Sequence, residues 1–479
     1  MAIASSYPGG LPVPGIRRAW WLREALAAEG TPLPAPPLNE DLAVDVAIIG
    51  GGYTGMWTAW FLTELAPQLR VAILEADICG GGPSGRNGGF LHGWWEQLPY
   101  LVERYGREAG LQLARAADEV VGGIGAWCAE HGVAAWYTPR GYLRVNAFPA
   151  TPHDWDGVPA ELERLGGRGQ LVHVEPDAVQ RICASPAFRA GLLMPSAATV
   201  QPARLARGLR RVLLERGVRI HEGTEVRHLD PGSPVRLSTA GGRVTAYQAV
   251  LATNAWAAGW PGFRTRVLAW GSYMIITEPI PHRLAEIGWT GGEALADSRF
   301  TISYFRTTRD GRIAFGAGVG AAGFDGRIGP VFTSDQGAIG RVIANFRHLL
   351  PMLADVRIAD AWGGPIDITA ERFPEIGTRH GGRVHYAHGF AGNGVGPARL
   401  AGRTLAAMVA GVTDPLAAHA MVGHRQRFLP PEPFRYLGAR AIREALIRRD
   451  DALDAGRRPG ALVSLVARIP GMLGYRFEH

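Results

Sequence analysis

Gly50, Gly52 and Gly55 lie in the run Gly50-Gly51-Gly52-Tyr53-Thr54-Gly55 at the spacing G-x-G-x-x-G. That spacing suits the close approach of backbone to a pyrophosphate. Gly50 permits a tight turn, Gly52 lets the main chain reach the phosphates, and Gly55 lets helix and strand pack. Tyr53 and Thr54 open the helix, whose N-terminus faces the anion. Glu75 lies twenty positions after Gly55 at the end of the next apolar run. A carboxylate there accepts hydrogen bonds from a ribose hydroxyl.

Two further Gly-rich stretches extend this pattern. Ser84-Gly85-Arg86-Asn87-Gly88-Gly89 offers backbone N–H groups and one Arg, with small residues that allow contact with a flat ring. Gly389, Asn393, Gly394, Val395 and Gly396 precede a helical pattern near the other end. The first triplet alone leaves NAD or FAD open. One Gly-rich loop close behind it and another near the C-terminus favour FAD, whose long isoalloxazine arm needs a distant wall.

The elements that must position these loops can be read from periodicity. Val44–Ile49, a helix over Tyr53–Leu65 and Val71–Leu74 make a βαβ unit. Val384–Ala387, a Gly-rich loop and a helix over Pro397–Val409 repeat that plan. Between them the pattern predicts a long helix from Leu98 to His131 and a basic amphipathic helix over Gln201–Arg216. It also predicts a meander over Val218–Ala252, strands at Tyr273–Thr277, Phe300–Phe305 and Arg312–Gly316, and a helix near 335–347. The expected fold is α/β, a Rossmann-like FAD-binding domain of the glutathione-reductase type interleaved with an antiparallel-sheet α+β substrate domain. Residues 44–98, 195–260 and 360–425 are assigned to the first, and 99–194 and 261–359 to the second. Residues 1–43, rich in Pro, are expected to be an irregular arm. Residues 426–479 are expected to be a helical tail, read as a solvated docking segment in preference to a membrane anchor, with helical pattern at Tyr436–Ala445 and Leu462–Val466.

Composition narrows the class. All 50 basic residues are Arg, the formal net charge is +7, and the basic residues are scattered, so a nucleic-acid role is not expected. Three cysteines, Cys79, Cys128 and Cys183, have no spacing for zinc or a redox dithiol, so no metal site and a reduced, cytoplasmic setting are expected. No apolar stretch reaches about 18 residues, so no integral membrane segment is expected.

Pro83-Ser84-Gly85-Arg86-Asn87-Gly88-Gly89-Phe90, following Glu75, resembles the S-G-R-N-G-G element of the D-amino-acid oxidase superfamily, in the branch that includes gamma-glutamylputrescine oxidoreductase. Glycine and sarcosine oxidases are more distant relatives. Ala252-Thr253-Asn254-Ala255-Trp256 is similar to the family's A-T-[GN]-A element. Trp362-Gly363-Gly364-Pro365 and Arg372-Phe373-Pro374-Glu375-Ile376-Gly377 resemble W-G-G-P and F-P-x-I-G, and His388-Gly389 through Gly396, then Ala401-Gly402-Arg403, complete the order. The resemblance spans about residues 44–411.

The resemblance implies oxidation of a C–N bond of a small-molecule amine or amino acid, by hydride transfer to flavin N5, giving an imine that water hydrolyses. Thr253, Asn254, Trp256 and Gly364 would join the cofactor contacts. Gly389 to Gly396 would face the flavin N1–C2=O side, and Val226 would hold the adenine side by backbone, a core strand Val being an equal reading. No acid–base pair is strictly required, so the candidates are positioning groups. Tyr304 and Arg306 share a strand face opposite Phe305. Arg306 or Arg372 suits a substrate carboxylate, and Tyr273, Trp362 and His388 are candidates to line the pocket. Gly364-Pro365-Ile366 stands where monomeric sarcosine oxidases carry a flavin-anchoring Cys, so FAD is expected to be non-covalent. Some relatives use a Lys to promote reaction with oxygen, and this chain has none, so oxygen or another electron acceptor stays open. Open too are a flavin-dependent hydroxylase using NAD(P)H, though no G-D-A element follows residue 380, a non-catalytic FAD-binding protein, and an NAD-dependent dehydrogenase.

Overall fold

The computed structural model describes residues 18–148, 155, 157–318, 320–415 and 418–476. The first part of the expected N-terminal arm, through residue 17, lies outside them. Two eight-stranded sheets organise the chain. In the first, Val384–His388, Arg243–Leu251, Leu42–Ile49, Val71–Leu74 and Arg219–His221 run parallel in that spatial order, with Glu375–Arg379 antiparallel at one edge. His228–Asp230 and Val235–Ser238 branch antiparallel from Arg243–Leu251. Only this later part of the expected meander is one, because Arg219–His221 has joined the parallel edge.

Central strands of a parallel sheet are covered on both faces and read as apolar runs. The helix Tyr53–Leu65 fits that setting, since every residue from Tyr53 to Leu62 is buried. Its partner is the helix Pro397–Ala410. A Cβ on Gly402 would stand 2.5 Å from Trp57 Cβ, so the two helices touch along this glycine. The predicted pair of strand–loop–helix units thus stands side by side, with both Gly-rich turns at the same end of the sheet.

The second sheet has the order Ile358–Ile368, Leu268–Thr277, Ile313–Ala317, Ser303–Thr307, Ala294–Asp297, Tyr142–Val145, Gly191–Met194 and Val172–Val174. Its neighbours are antiparallel except for Ala294–Asp297 beside Tyr142–Val145. This is the interleaved α+β lobe that the pattern predicts. One boundary differs. Ile358–Ile368, assigned from residue 360 to the nucleotide lobe, pairs along its length with Leu268–Thr277 and is the edge strand of the second sheet.

Three helical expectations are corrected. The long helix breaks at Gly106, whose φ of +83° ends Leu98–Tyr105 and starts Arg107–Glu130. The arm contains a helix, Trp20–Glu29, with Trp21, Leu22 and Ala25 buried on one face. Trp21 meets Trp362 edge to face at 6.2 Å, and Glu29 pairs with Arg207 at 2.8 Å. The flanking Pro-rich run hid it. The tail helix is longer than its pattern, Phe434–Asp454, and it is docked. The Asp450 carboxylate accepts the amides of Phe300 and Thr301, which clamps the helix to the second sheet.

Candidate active site

The first Gly-rich loop is shaped as its spacing demands. Gly50 has φ of +109°, and a Cβ there would sit 2.5 Å from the Ala252 carbonyl. A Cβ on Gly55 would sit 2.0 Å from the Gly50 carbonyl, so only glycine lets the helix start against the strand. Glu75 closes the turn, its carboxylate accepting the amides of Gly51 at 2.7 Å and Asp77 at 2.9 Å. Burial pushes Glu75 up to about 7 against those two bonds. The segment carrying Val226 runs alongside, the Thr224 amide donating to the Glu75 carbonyl at 2.7 Å. Val226 itself is in the connection between strands and packs partly buried on the core.

Ser84 to Gly89 folds over this turn. Ser84 Oγ accepts the Tyr53 amide at 2.9 Å, joining the second loop to the start of the helix. Asn87 holds its own loop, donating to the Pro83 and Ser84 carbonyls and accepting the Gly89 amide at 2.7 Å. Arg86 is buried, donates from Nε to the Gly81 carbonyl at 2.9 Å and from Nη1 to the Gly363 carbonyl at 3.3 Å. Trp362 Nε1 in turn donates to the Arg86 carbonyl at 2.8 Å. Gly89 has φ of +75°, and a Cβ there would fall 1.9 Å from the Val200 carbonyl. Trp256 stands against Gly82 and Gly364 against Arg86. Thr253 Oγ1 and Asn254 Oδ1 are buried beside the first turn.

A cavity of about 200 Å³ opens between the lobes. Of the predicted residues it brings together Arg86, Asn87, Gly88, Tyr304, Gly364, Arg372, Asn393 and Val395. Tyr304 Oη and Ser272 Oγ are 2.9 Å apart on its wall. Phe90 meets Tyr304 edge to face at 5.7 Å, and His92 stacks on Tyr142 at 5.2 Å, giving an aromatic side. Burial pushes the Arg372 guanidinium down to about 10, with Arg476 adding to the effect.

Four predicted candidates sit elsewhere. Arg306 shares the Tyr304 face, as the alternation requires, yet it lies behind Gly89 with Nη1 on the Val200 carbonyl and its guanidinium 5.5 Å from the Trp21 ring. Burial pushes it down to about 9. His388 is a core histidine, stacked on Tyr386 at 5.4 Å and edge-on to Phe263 at 5.1 Å. Burial, with Arg379 and Arg266 near, pushes it down to about 3, so it is neutral. Tyr273 and Trp362 are also packed inside rather than on the cavity wall.

Several wall residues escaped the sequence reading. Arg144 pairs with Glu96 at 3.2 Å, and both face the cavity. The signal was an Arg alternating with Tyr142 in an otherwise apolar strand. Arg443 and Leu446 reach the wall from the helix Phe434–Asp454, which nothing local could reveal. Asp367, buried behind the wall, is a further residue that the pattern did not single out. Its buried carboxylate accepts the amides of Gly389 at 2.6 Å and Phe390 at 3.1 Å, so the first amide of the C-terminal Gly-rich loop points at Asp367. Burial pushes Asp367 up to about 6 against these bonds.

Residues 45–408 match the family described as FAD dependent oxidoreductase. A gamma-glutamylputrescine oxidoreductase from Escherichia coli (strain K12) is 28% identical over 400 residues, covering 82% of this chain and 89% of that one. A probable oxidoreductase OrdL from Rhizobium meliloti (strain 1021) is 30% identical over 379 residues, covering 78% of this chain and 84% of that one. The solved structure of glycine oxidase from Geobacillus kaustophilus superposes with a TM-score of 0.63 at 21% identity, covering 80% of this chain and all of that one. Two Gly-rich turns at one end of a parallel sheet, a buried carboxylate closing the first of them and a walled cavity toward a second sheet agree with that match, and the chain belongs to the FAD dependent oxidoreductase family.

Proposed function

We propose that this protein oxidises the C–N bond of an amine or amino acid that carries a carboxylate, using non-covalently held FAD. The supporting observation is the charge of the cavity wall. Arg86, Arg144, Arg372 and Arg443 line it, and Glu96 is the one carboxylate among the described lining residues. Arg372, the arginine that the sequence offers for a substrate carboxylate, stands on this wall together with Arg443, and these two are the groups assigned to the substrate anion.

The residues present fit FAD. Gly50 and Gly55 let strand, turn and helix start pack against backbone, and Gly52 keeps the main chain bare beside Ser84. Glu75 stands for the ribose, Ser84 to Gly89 for the pyrophosphate and the ring edge, and Asn393 to Gly396 for the far side of the ring. FAD when bound supplies the two-electron sink for hydride transfer. The chain's residues do the rest: Arg372 orients the substrate by a forked contact, and the aromatic side excludes water. Tyr304, linked to Ser272, fixes a polar point on the wall. Burial pushes its hydroxyl up to about 12, so Tyr304 stays protonated and acts as a donor. Cys79, Cys128 and Cys183 are all buried and free, and none lines the cavity, which supports non-covalent FAD and a reducing, cytoplasmic setting. The electron acceptor is oxygen or another oxidant.

The test compares matched substrate pairs that differ only in a carboxylate, with imine hydrolysis products quantified. The expected result is a preference in kcat/KM for the carboxylate-bearing member of about tenfold or more. Equal turnover of both members would overturn the assignment of an acidic amine.

A further inference from the structure

The last helix, Ala461–Met472, turns its apolar side outward. Leu462, Leu465, Ile469 and Met472 recur at steps of three, four and three, one face of a helix. Leu462 is 73% exposed, Leu465 54% and Met472 72%, and Leu473 follows at 55%. The helix is held in place while this face stays bare. Its inner side rests on Phe434–Asp454. Beyond its end, the Arg476 amide donates to the Ala370 carbonyl at 2.9 Å, and the Arg476 guanidinium lies 4.1 Å from the Tyr100 ring. Phe428, 62% exposed, extends the patch, because Tyr475 Oη donates to its carbonyl and Arg427 Nη1 donates to the Leu473 carbonyl.

Charge decides the occupant. Residues 455–476 contain no Asp or Glu, and Arg457, Arg458 and Arg468 in that stretch are exposed. A second copy docking by the same face would bring these arginines against their own kind with no carboxylate in the segment to answer them. An anionic bilayer surface answers both features, taking the leucines below the headgroups and the arginines at the phosphates. A helix of 12 residues spans about 18 Å, too short to cross a bilayer, so it would lie in the interface plane. Among the described residues no helix is long and apolar enough to cross a membrane. We propose that the exposed face of Ala461–Met472, with Phe428 and the flanking arginines, docks the protein peripherally on an anionic lipid surface.

Flotation of the full-length, flavin-loaded protein with vesicles tests this. The expected result is flotation with phosphatidylcholine vesicles containing phosphatidylglycerol at low salt, weakened by high salt, and little flotation with phosphatidylcholine alone. The combined change Leu462→Ser, Leu465→Ser and Met472→Ser should reduce binding by about tenfold or more. Arg457→Gln with Arg458→Gln and Arg468→Gln should remove the preference for the anionic lipid. All six side chains are outside the core, so flavin content and Tm serve as controls for folding. The proposal is overturned if the wild-type protein stays unbound at low salt, or if the serine variant floats as well as wild type. It is equally overturned if sedimentation shows a dimer that the serine variant dissociates, since the face would then belong to a second copy.

Discussion

The carboxylate of Asp367, on the edge strand of the second sheet, holds the amide of Gly389 at 2.6 Å, so one buried hydrogen bond ties the substrate lobe to the C-terminal Gly-rich loop of the nucleotide lobe. The Phe390 amide adds a second bond to the same group, and the Ala391 amide donates to the Asp367 carbonyl. The loop that faces the proposed ring site is therefore positioned by a residue of the opposite lobe.

Asp367→Asn keeps the shape but offers one acceptor oxygen for two amides. An unpaired buried N–H costs about 1–3 kcal/mol, so Tm should fall and flavin should dissociate more readily, both read by thermal melts with flavin fluorescence. The pH dependence has a definite sign. Asp367 sits near 6 in the fold against an ordinary 3.8, so the folded chain holds this proton more tightly than the unfolded one. The corresponding stability is complete below 3.8 and is lost as pH rises toward about 6. The Tm advantage of wild type over the Asn variant should shrink across that window; an advantage that grows with pH would contradict the assignment.

Gly55→Ala places a Cβ 2.0 Å from the Gly50 carbonyl, a backbone atom that cannot swing away. The variant should lose nearly all bound flavin, measured as the ratio of visible to ultraviolet absorbance, and a variant with full flavin content would show that the turn does not hold the pyrophosphate.

Arg372→Ala should raise KM for carboxylate substrates by about tenfold to a hundredfold, the weight of a charge-assisted hydrogen bond of about 1.5–3 kcal/mol. Arg372→Lys should recover only part of this, because the fork is lost. The flavin spectrum should be unchanged in both. By contrast, Arg306→Lys should act on Tm rather than on KM, since Arg306 holds the Val200 carbonyl behind Gly89.

Tyr304→Phe removes the link to Ser272 and should lower kcat/KM by about tenfold. Since Tyr304 titrates near 12, the variant should leave the pH profile of activity between neutrality and mild alkali unmoved. A lost alkaline limb would assign Tyr304 a proton-transfer role instead.

What was legible in the sequence follows from how local each feature is. The turn at Gly50 to Gly55, the strand before it and Glu75 after it are set by neighbours in the chain, so spacing alone located them. Tyr304 and Arg306 were rightly put on one face, because alternation is a local property of a strand. Their separation, Tyr304 on the cavity and Arg306 behind Gly89, depends on the lobe docked above them, and alternation carries no such information. Arg443 and Asp367 illustrate the same limit. Each works far from its sequence neighbours, Arg443 on the cavity wall and Asp367 through two amides of a loop 22 residues on. The arm helix was missed because Trp21 and Leu22 read as apolar residues next to prolines until Trp362 supplies their partner.

The most direct test of the central claim is an anaerobic titration of the purified protein, following flavin absorbance. The account predicts a flavin band that a carboxylate-bearing amine or amino acid bleaches, and that NAD(P)H leaves intact. Protein purified without flavin and unable to take up added FAD, or flavin that only NAD(P)H bleaches, would contradict it.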